Sequence, residues 1–393
     1  MAKLEAVCRI IVDGDWIESK DQSECGIRLI QTGNIGVGEY LDKCNRAKYI
    51  SAETFERLKC TEVLPGDILI SRLPDPIGRA CAVPQYVGKA ITAVDCTIVR
   101  LDNSLCDANY FINYTQSVRY GNELSKFLAG TTRTRISRKN LEKIEIPLPP
   151  LDEQRKIAAV LDKVSDLIAK HRQQLDKLDE MVKARFVEMF GDTIYNPYNW
   201  PTQQLEEMAD IVSGITKGRK TKEQDLIEVP YMAVSNVKDG YIDWTTVKTI
   251  LATQSEVEQY RLLPDDILMT EGGDPDKLGR GAIIQTPPEN CIHQNHIFRV
   301  RLNEKLLLPC YFAEFLKHQK AKQYFLRCAK QTTGIASINM RQLKGLTTLV
   351  PPLELQNQFT DYVAQTEKTK TTISRSLERL ETLKKALMQG YFG

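Results

Sequence analysis

The chain lacks the short motifs by which proteins bind nucleotides or redox cofactors. Its 393 residues contain no GxxxxGK[ST] phosphate loop, and no glycine-rich strand-to-helix turn of the kind that holds a dinucleotide or S-adenosylmethionine. It has no apolar run of membrane-spanning length, and its opening, MAKLEAVCRI, lacks the layout of a secretory signal. These absences predict a cytoplasmic protein, and the missing cofactor motifs argue against an enzyme.

Metal-binding patterns are also missing. The ten cysteines and four histidines include no CxxC pair and no cysteine pair near an HxxxH. His293 and His296 are three residues apart in a strand-like stretch, so their side chains would point to opposite faces. The sequence therefore predicts free thiols and no metal site.

Charge of either sign is not in excess. With 53 basic and 51 acidic side chains the net charge is only +2, so no global positive field indicates nucleic acid. Any nucleic-acid surface must be local, or supplemented by a partner.

What the chain does have is an internal repeat with a period of about two hundred residues. LPGDILIS at 64–71 returns as LPDDILMT at 263–270, and IGRACAV at 77–83 returns as LGRGAII at 278–284. Between such landmarks the two halves share little. One scaffold carried twice with different surfaces indicates recognition of two unlike targets in one geometry.

Each half ends in a long segment without proline or glycine. In 152–190 the apolar residues recur in alternating steps of four and three, and 354–389 follows the same frame more weakly in its middle. We interpret His171 and Lys370, which fall on these seams, as register-setting or snorkelling residues. The first helix would be roughly 55 to 60 Å long, with Gly191 as its stop.

The predicted fold class is α+β, with short strands punctuated by glycine and proline in each half. We expect the two long helices to bury their seams against each other as an antiparallel coiled coil, which would relate the halves by a pseudo-two-fold axis. The predicted boundaries are 1–150 for the first globular domain, 151–191 for its helix, 192–350 for the second domain and 351–393 for the last helix.

Two fragments resemble catalytic or metal-binding motifs. Asn196-Pro197-Tyr198 is similar to the adenine-binding Asn-Pro-Pro-Tyr loop of amino-methyltransferases, but it lacks the second proline and no cofactor motif accompanies it. The run EGGDPD at 271–276 could be a carboxylate cluster for a metal. Glycine and proline favour a turn for the first and a loop tip for the second.

Candidate DNA contacts are clustered in loops. The segment GTTRTRISRKN at 130–140 and its counterpart QTTGIASINMR at 331–341 carry hydroxyl, amide and guanidinium groups, which position phosphates or read guanine. A basic run follows at 217–222, and an arginine beside a glycine recurs in both halves. The predicted DNA-binding residues are Arg72, Arg79, Arg133, Arg135, Arg138, Lys139, Lys217, Arg219, Lys220, Arg280, Thr333, Ser337 and Asn339. The alternatives are solvated loops, and for Arg79 and Arg280 a brace of the neighbouring strand.

Over its whole length the chain resembles the specificity subunit of type I restriction–modification systems. The most specific similarity is IPLPPLDEQRKIAAVLD at 146–162, with a weaker echo, VPPLELQNQFTDYV, at 350–363. Leu355 replaces the acidic residue of the first copy, and the opening of the first domain is less typical than the NPYNWP entry to the second.

The resemblance implies a non-catalytic reader of double-stranded DNA. Two target-recognition domains would each bind one half of a bipartite, asymmetric site, and the helices would set the spacer. Two adenine methyltransferase subunits and two motor-endonuclease subunits would be the partners, and S-adenosylmethionine, ATP and Mg²⁺ would be bound there, with no cofactor in this chain. The rival readings are a fused methyltransferase or nuclease, and a coiled-coil scaffold that binds proteins instead of DNA.

Overall fold

The computed structural model describes residues 1–128, 134–219, 225–273, 278–332 and 335–393. The chain divides into two compact units. The first unit consists of Met1–Gln173 with Ser374–Gly393, and the second unit consists of Gln174–Ile373. Each long helix is therefore divided between the two units within its length.

The first unit is built from short strands, short helices and parts of two long helices. Its strands are β1 Ala2–Lys3, β2 Cys8–Asp13, β3 Ile27–Ile30, β4 Lys48–Ile50, β5 Ile68–Ser71, β6 Ala80–Ala82, β7 Ala90–Thr92, β8 Cys96–Leu101 and β9 Glu145–Ile146. Its helices are α1 Ala52–Leu58, α2 Ala108–Tyr114, α3 Val118–Ser125, α4 Arg138–Leu141 and the start of α5 Leu151–Phe190.

The second unit repeats this order. Its strands are β10 Thr202–Gln204, β11 Ala209–Ser213, β12 Ile227–Met232, β13 Lys248–Ala252, β14 Ile267–Thr270, β15 Gly272–Gly273, β16 Gly281–Ile283, β17 Ile292–His293, β18 Ile297–Leu302, β19 Lys330–Thr332, β20 Ile335–Ser337 and β21 Thr347–Leu349. Its helices are α6 Gln254–Tyr260, α7 Pro309–Lys317, α8 Gln319–Cys328, α9 Met340–Lys344 and the start of α10 Leu353–Phe392.

The described strands form matching sheets in the two units. An antiparallel sheet in the order β2-β8-β5-β6 corresponds to β11-β18-β14-β16. A mixed sheet in the order β4-β3-β7 corresponds to β13-β12-β17, with β3 parallel to β7 and β12 parallel to β17. The α+β fold class predicted from the sequence is confirmed.

Strands β5 and β14 are central because both of their faces are covered. All four residues of each strand are buried. Ile68 and Ile70 contribute to the core shared with the long helices, whereas Leu69 packs in the core between the sheets. Uninterrupted apolar runs are expected for strands buried on both faces, which explains why LPGDILIS and LPDDILMT were the clearest landmarks of the repeat.

A bidentate ion pair fixes the turn before each central strand. Arg100 donates to both oxygens of buried Asp67 at 2.7 and 2.8 Å, and Arg301 does the same to Asp266 at 2.7 and 2.8 Å. Charge-assisted bidentate pairs are among the stronger and more directional polar contacts. The two units thus share polar interior contacts as well as apolar ones.

One glutamine fixes the start of each long helix. The Gln154 side chain accepts from Asp107 N at 2.9 Å and donates to the carbonyls of Leu105 and Pro149. In the second unit the Gln356 side chain accepts from Leu308 N at 2.8 Å and donates to two carbonyls in the same way. Both glutamines are fully buried, so the IPLPPLDEQ motif owes its final residue to this junction.

Within each unit the two long helices run antiparallel. In the first unit His171 contacts Ser376 at 3.1 Å and Arg172 pairs with Glu381 at 2.7 Å. In the second unit Lys370 pairs with Asp179 at 2.8 Å. The polar seam residues predicted from the heptad pattern therefore make polar contacts to the neighbouring helix.

Aromatic residues at the helix ends complete the cores. Phe392 of α10 packs against Tyr110 of the first unit, with ring centroids 5.4 Å apart, and Phe190 of α5 packs against Tyr311 of the second unit at 4.7 Å. The sequence placed the end of the last helix at Gln389. The helix continues through Gly390 to Phe392, because burial of Phe392 offsets the low helix propensity of glycine.

Candidate nucleic-acid interface

The structure brings each predicted DNA-binding segment to the end of a central strand. Ile136 N donates to the carbonyl of Arg72 just after β5, and Ile338 N donates to the carbonyl of Glu271 just after β14, at 3.3 and 2.8 Å. Ile136 and Ile338 are buried. The backbone frame at this place is therefore the same in both units.

The side chains on that shared frame differ between the units. In the first unit the frame carries a pair of arginines, Arg72 and Arg138, beside Asp13. Arg72 Nε lies 3.6 Å and Arg138 Nε 3.9 Å from the carboxylate of Asp13. Arg72 also donates to the carbonyl of Val94, and Arg138 donates to that of Ile11. Both arginines were predicted to contact DNA. Within the unit each guanidinium group contacts Asp13 and one backbone carbonyl, and its contact with DNA stays a prediction.

Two cations of the same segment remain exposed. Arg135 precedes buried Ile136, and Lys139 lies in the first turn of α4, where Ser137 caps the helix by accepting from Asn140 N. Both side chains are on the protein surface, so they stay candidates for phosphate contact. Arg133 lies outside the described residues.

Arg79 is a brace for the turn that it adjoins. Its Nε donates to the carbonyl of Ile35 at 2.7 Å and its terminal nitrogens donate to the carbonyls of Leu73, Pro76 and Thr32 at 2.9 to 3.0 Å. A guanidinium has five N–H donors, so four bonds leave little for a phosphate. The sequence left a structural brace and a DNA contact open, with a lean to DNA, and these four bonds favour the brace.

In the second unit the equivalent frame carries groups of opposite chemistry. Glu271 takes the place of Arg72, and its carboxylate contacts His296 Nδ1 at 2.5 Å. His296 is 56% exposed at the side chain. In the sequence this histidine was recognisable only as an unsuitable metal ligand. Its pairing with Glu271, beside the predicted segment, was not predicted.

Ser337 and Asn339 follow on the same segment. Ser337 lies opposite Gly272 in the β15–β20 pairing, where a Cβ on Gly272 would come 3.0 Å from the Ala336 carbonyl oxygen. Asn339 caps α9 and forms a reciprocal pair of hydrogen bonds with Gln342. Asn339 is exposed and Ser337 half-buried, and Thr333 lies outside the described residues.

The basic run of the second unit contains one exposed cation and one brace. Lys217 is exposed. Arg219 instead contacts both carboxylate oxygens of Glu256, and its guanidinium holds the pKa of that carboxyl below its usual range. Since Glu256 also closes the N-terminal cap of α6 with Thr253, Arg219 braces this cap, and its contact with DNA stays a prediction. Lys220 lies outside the described residues.

Arg280 differs from its counterpart Arg79. It lines a cavity of about 280 Å³ near Lys183, Lys317 and Lys322, and its Nε has no hydrogen-bond partner within the described residues. Arg280 therefore stays a predicted phosphate contact.

The described side chains form no metal cluster. In the ranges that the structure describes, no group of three or more His, Cys, Asp or Glu side chains is arranged to hold an ion. Among the same residues, no helix is both long and apolar enough to cross a membrane. What the surface offers is guanidinium, ammonium, imidazole, carboxylate and amide groups on a rigid frame.

Comparison with known proteins identifies the class. Residues 3–180 and 197–383 each match the family described as type I restriction modification DNA specificity domain. Because the two matches cover most of the chain, the protein belongs to this family. The internal repeat is thus two copies of one DNA specificity domain.

Individual relatives carry the same description. The type I restriction enzyme EcoKI specificity subunit of Escherichia coli K12 is 22% identical over 76% of this chain and 67% of its own length. The MjaX specificity subunit of Methanocaldococcus jannaschii is 28% identical over 50% of this chain and 46% of its own length. This chain therefore spans about half the length of one curated relative and two thirds of the other.

The fold is similar to that of a solved structure. The S subunit of a type I restriction–modification system from M. genitalium covers 98% of this chain, and this chain covers 94% of it, with a TM-score of 0.58 and 13% identity. At this identity the likeness concerns the fold alone.

Proposed function

We propose that this protein is the sequence-reading subunit of a type I restriction–modification complex. Each DNA specificity domain would bind one half of a bipartite, asymmetric site on double-stranded DNA. The observation that carries the proposal is the pair of equivalent positions after β5 and β14. One backbone frame presents Arg72 with Asp13 in one unit and Glu271 with His296 in the other, as expected if the frame is common and the bases read are not.

The chemistry would reside in the partners of this chain. Two adenine methyltransferase subunits would use S-adenosylmethionine, and two motor-endonuclease subunits would use ATP and Mg²⁺. The recognition domains would fix the register in which each methyltransferase takes one adenine out of the stack. The chain itself would be non-catalytic and cofactor-free, and would work in the cytoplasm, where its DNA lies.

The long helices would set the distance between the half-sites. Helix α5 joins the two units along the chain, with its start in the first unit and its end in the second. Its 40 residues would be about 60 Å long. Removing one heptad from α5 and one from α10 is expected to shorten the spacer, and an unchanged spacer would argue against this role.

The decisive experiment maps methylated adenines by sequencing in cells that carry this chain with its cognate methyltransferase. We expect a bipartite asymmetric motif that disappears when this chain is deleted. A hybrid in which residues 1–145 are exchanged with those of a relative should change one half of the motif only. If an active methyltransferase gives no motif that depends on this chain, the alternative hypothesis of a coiled-coil scaffold that binds proteins replaces the proposal.

A further inference from the structure

The first unit contains a cavity whose lining is not explained by the fold. It has a volume of about 360 Å³ and lies between β3, β4 and the turn before β7. This volume is at the lower end of the range of small-ligand pockets. The side chains on which the argument depends are Arg28, Tyr40, Asp42, Tyr49 and Tyr86.

Arg28 is the buried cation of this cavity. The residue is only 9% exposed. Its terminal nitrogens donate to Tyr49 Oη at 3.4 Å and to Asp42 Oδ1 at 3.3 Å, and the guanidinium carbon lies 5.6 Å from the centre of the Tyr49 ring. Its Nε is buried and has no hydrogen-bond partner among the residues described. An unsatisfied buried donor is costly, so its presence needs a reason.

The second unit shows that the scaffold does not need this cluster. The cross-strand pair Arg28–Tyr49 of β3 and β4 is replaced by Pro230–Thr249 of β12 and β13. Tyr40, which forms a bridge to Ile35, is replaced by Ile242, which forms the same bridge to Val237. Because the same sheet is built with apolar or small residues there, the polar and aromatic lining belongs to the first unit's own task.

The chemistry of the lining indicates its ligand. Three tyrosines line the cavity. The ring of Tyr49 lies against the Arg28 guanidinium, whereas Tyr86 is 69% exposed and so accessible from solvent. Proteins hold unstacked bases between aromatic side chains and bond their edges. Arg28 donates and Asp42 accepts, and this matches guanine, whose O6 acceptor adjoins the N1–H and N2–H donors. A bare phosphate accepts hydrogen bonds but does not donate them, so it would leave the Asp42 acceptor unused.

We propose that the Arg28 cavity binds a guanine base. The inference rests on the proposed function in one respect, that bound DNA is the expected source of the base. A free guanosine nucleotide presents the same chemistry, so the test has two arms.

The first arm uses free nucleotide. The full chain, co-purified with its cognate methyltransferase, is titrated with GMP and with AMP by calorimetry. We expect GMP to bind at least tenfold more tightly than AMP. Tyr86→Ala should weaken GMP binding about tenfold or more, since stacking on an aromatic contributes roughly 1–3 kcal/mol. The matched control is Tyr241→Ala, which removes a tyrosine of the second unit that is 60% exposed and should change nothing.

The second arm uses the mapped target duplex with a fluorescent guanine analogue at each guanine of the half-site read by the first unit. We expect fluorescence to rise on binding at one position, to be lost with Tyr86→Ala and to persist with Tyr241→Ala. Arg28→Gln should abolish the signal, and Tyr86→Ala covers the case in which that variant fails to fold.

The outcomes separate the two proposals. GMP binding without a DNA signal supports the cavity with free nucleotide as its source. An intact methylation motif, with neither GMP binding nor a DNA signal, overturns the guanine site and leaves the reading function in place. If the wild-type chain with an active methyltransferase directs no methylation motif at all, that result counts against the proposed function instead.

Discussion

The two units of this chain share the polar contacts of their interiors but differ in the side chains at the ends of the central strands β5 and β14. Asp67–Arg100 and Gln154 have exact counterparts in Asp266–Arg301 and Gln356. At the strand ends, by contrast, Arg72 stands where the second unit has Glu271. The difference teaches that the polar contacts that fix the frame are conserved between copies, while the polar groups that face outward are not.

The largest expected effect comes from the aromatic residues that complete each core. Phe186→Ala should lower the free energy of unfolding of the second unit by about 3–5 kcal/mol, because the buried ring packs against Tyr311 and Phe359. Phe392→Ala should do the same to the first unit. Hydrogen exchange read by mass spectrometry would assign each loss to its unit. Val187→Ala, on the same helix but 45% exposed, is the control, and equal losses in both units from one variant would contradict the assignment.

The glutamine pair tests whether the shared polar interior is equivalent in the two units. Gln154→Ala and Gln356→Ala each leave one backbone N–H and two carbonyls without their partner. We expect each to cost about 2–3 kcal/mol of stability, measured by urea unfolding. Exposed Gln365→Ala should cost under about 0.5 kcal/mol. A large difference between the stability losses of Gln154→Ala and Gln356→Ala would show that the two junctions are not equivalent.

A pH experiment distinguishes the units at one buried position. His293 occupies the position that Thr92 occupies in the first unit. The next residue in each unit, Gln294 or Ala93, donates its N–H to the equivalent carbonyl, that of Met232 or Ile30. Burial lowers the pKa of His293 from 6.5 to about 3. Between these values the unfolded chain binds the extra proton, so stability falls as pH falls.

The second unit should therefore lose about 2 kcal/mol through this group between pH 7 and pH 5, at about 1.4 kcal/mol for each pH unit below 6.5. His293→Gln should remove this part of the slope and leave the first unit's pH profile unchanged. The measurement is urea unfolding at each pH. A wild-type slope that the substitution leaves intact would show that other groups cause it.

The smallest effect is expected at the exposed cations. Arg135→Gln and Lys139→Gln should each reduce the slope of log affinity against log salt by about one, since each would release about one counterion from DNA. Fluorescence anisotropy with the target duplex at several salt concentrations would measure it. Lys163→Gln, exposed on α5, is the control. Unchanged slopes for both variants would remove this segment from the phosphate contacts.

The sequence predicted the strands and helices well where a local pattern determines them. The apolar runs at β5 and β14 and the heptads of α5 are such patterns, and the structure has all of them. The last turn of α10 was missed because Phe392 is held by Tyr110, which is far away in the sequence. Propensity alone ends that helix before Gly390.

The candidate site was predicted less well, because many of its contacts, like that between Phe392 and Tyr110, join residues that are far apart in the sequence. Arg135 and Lys139 are exposed, as a basic loop predicts. The contacts that Arg79 and Arg219 make within the protein were not predicted, because their partners, such as Ile35 and Glu256, come from distant segments. A single sequence shows the charge of an arginine but not the carbonyls or carboxylates that the fold places around it.

The position of Phe392 has a consequence for how the molecule is made. Residues 374–393 belong to the same compact unit as the first residues of the chain. A nascent chain emerges from the ribosome N-terminus first. The core of the first unit therefore closes only after residues 374–393 have been synthesised. The second unit, continuous in sequence, can close sooner. A stop codon that removes residues 374–393 would therefore damage the half of the protein that was synthesised first.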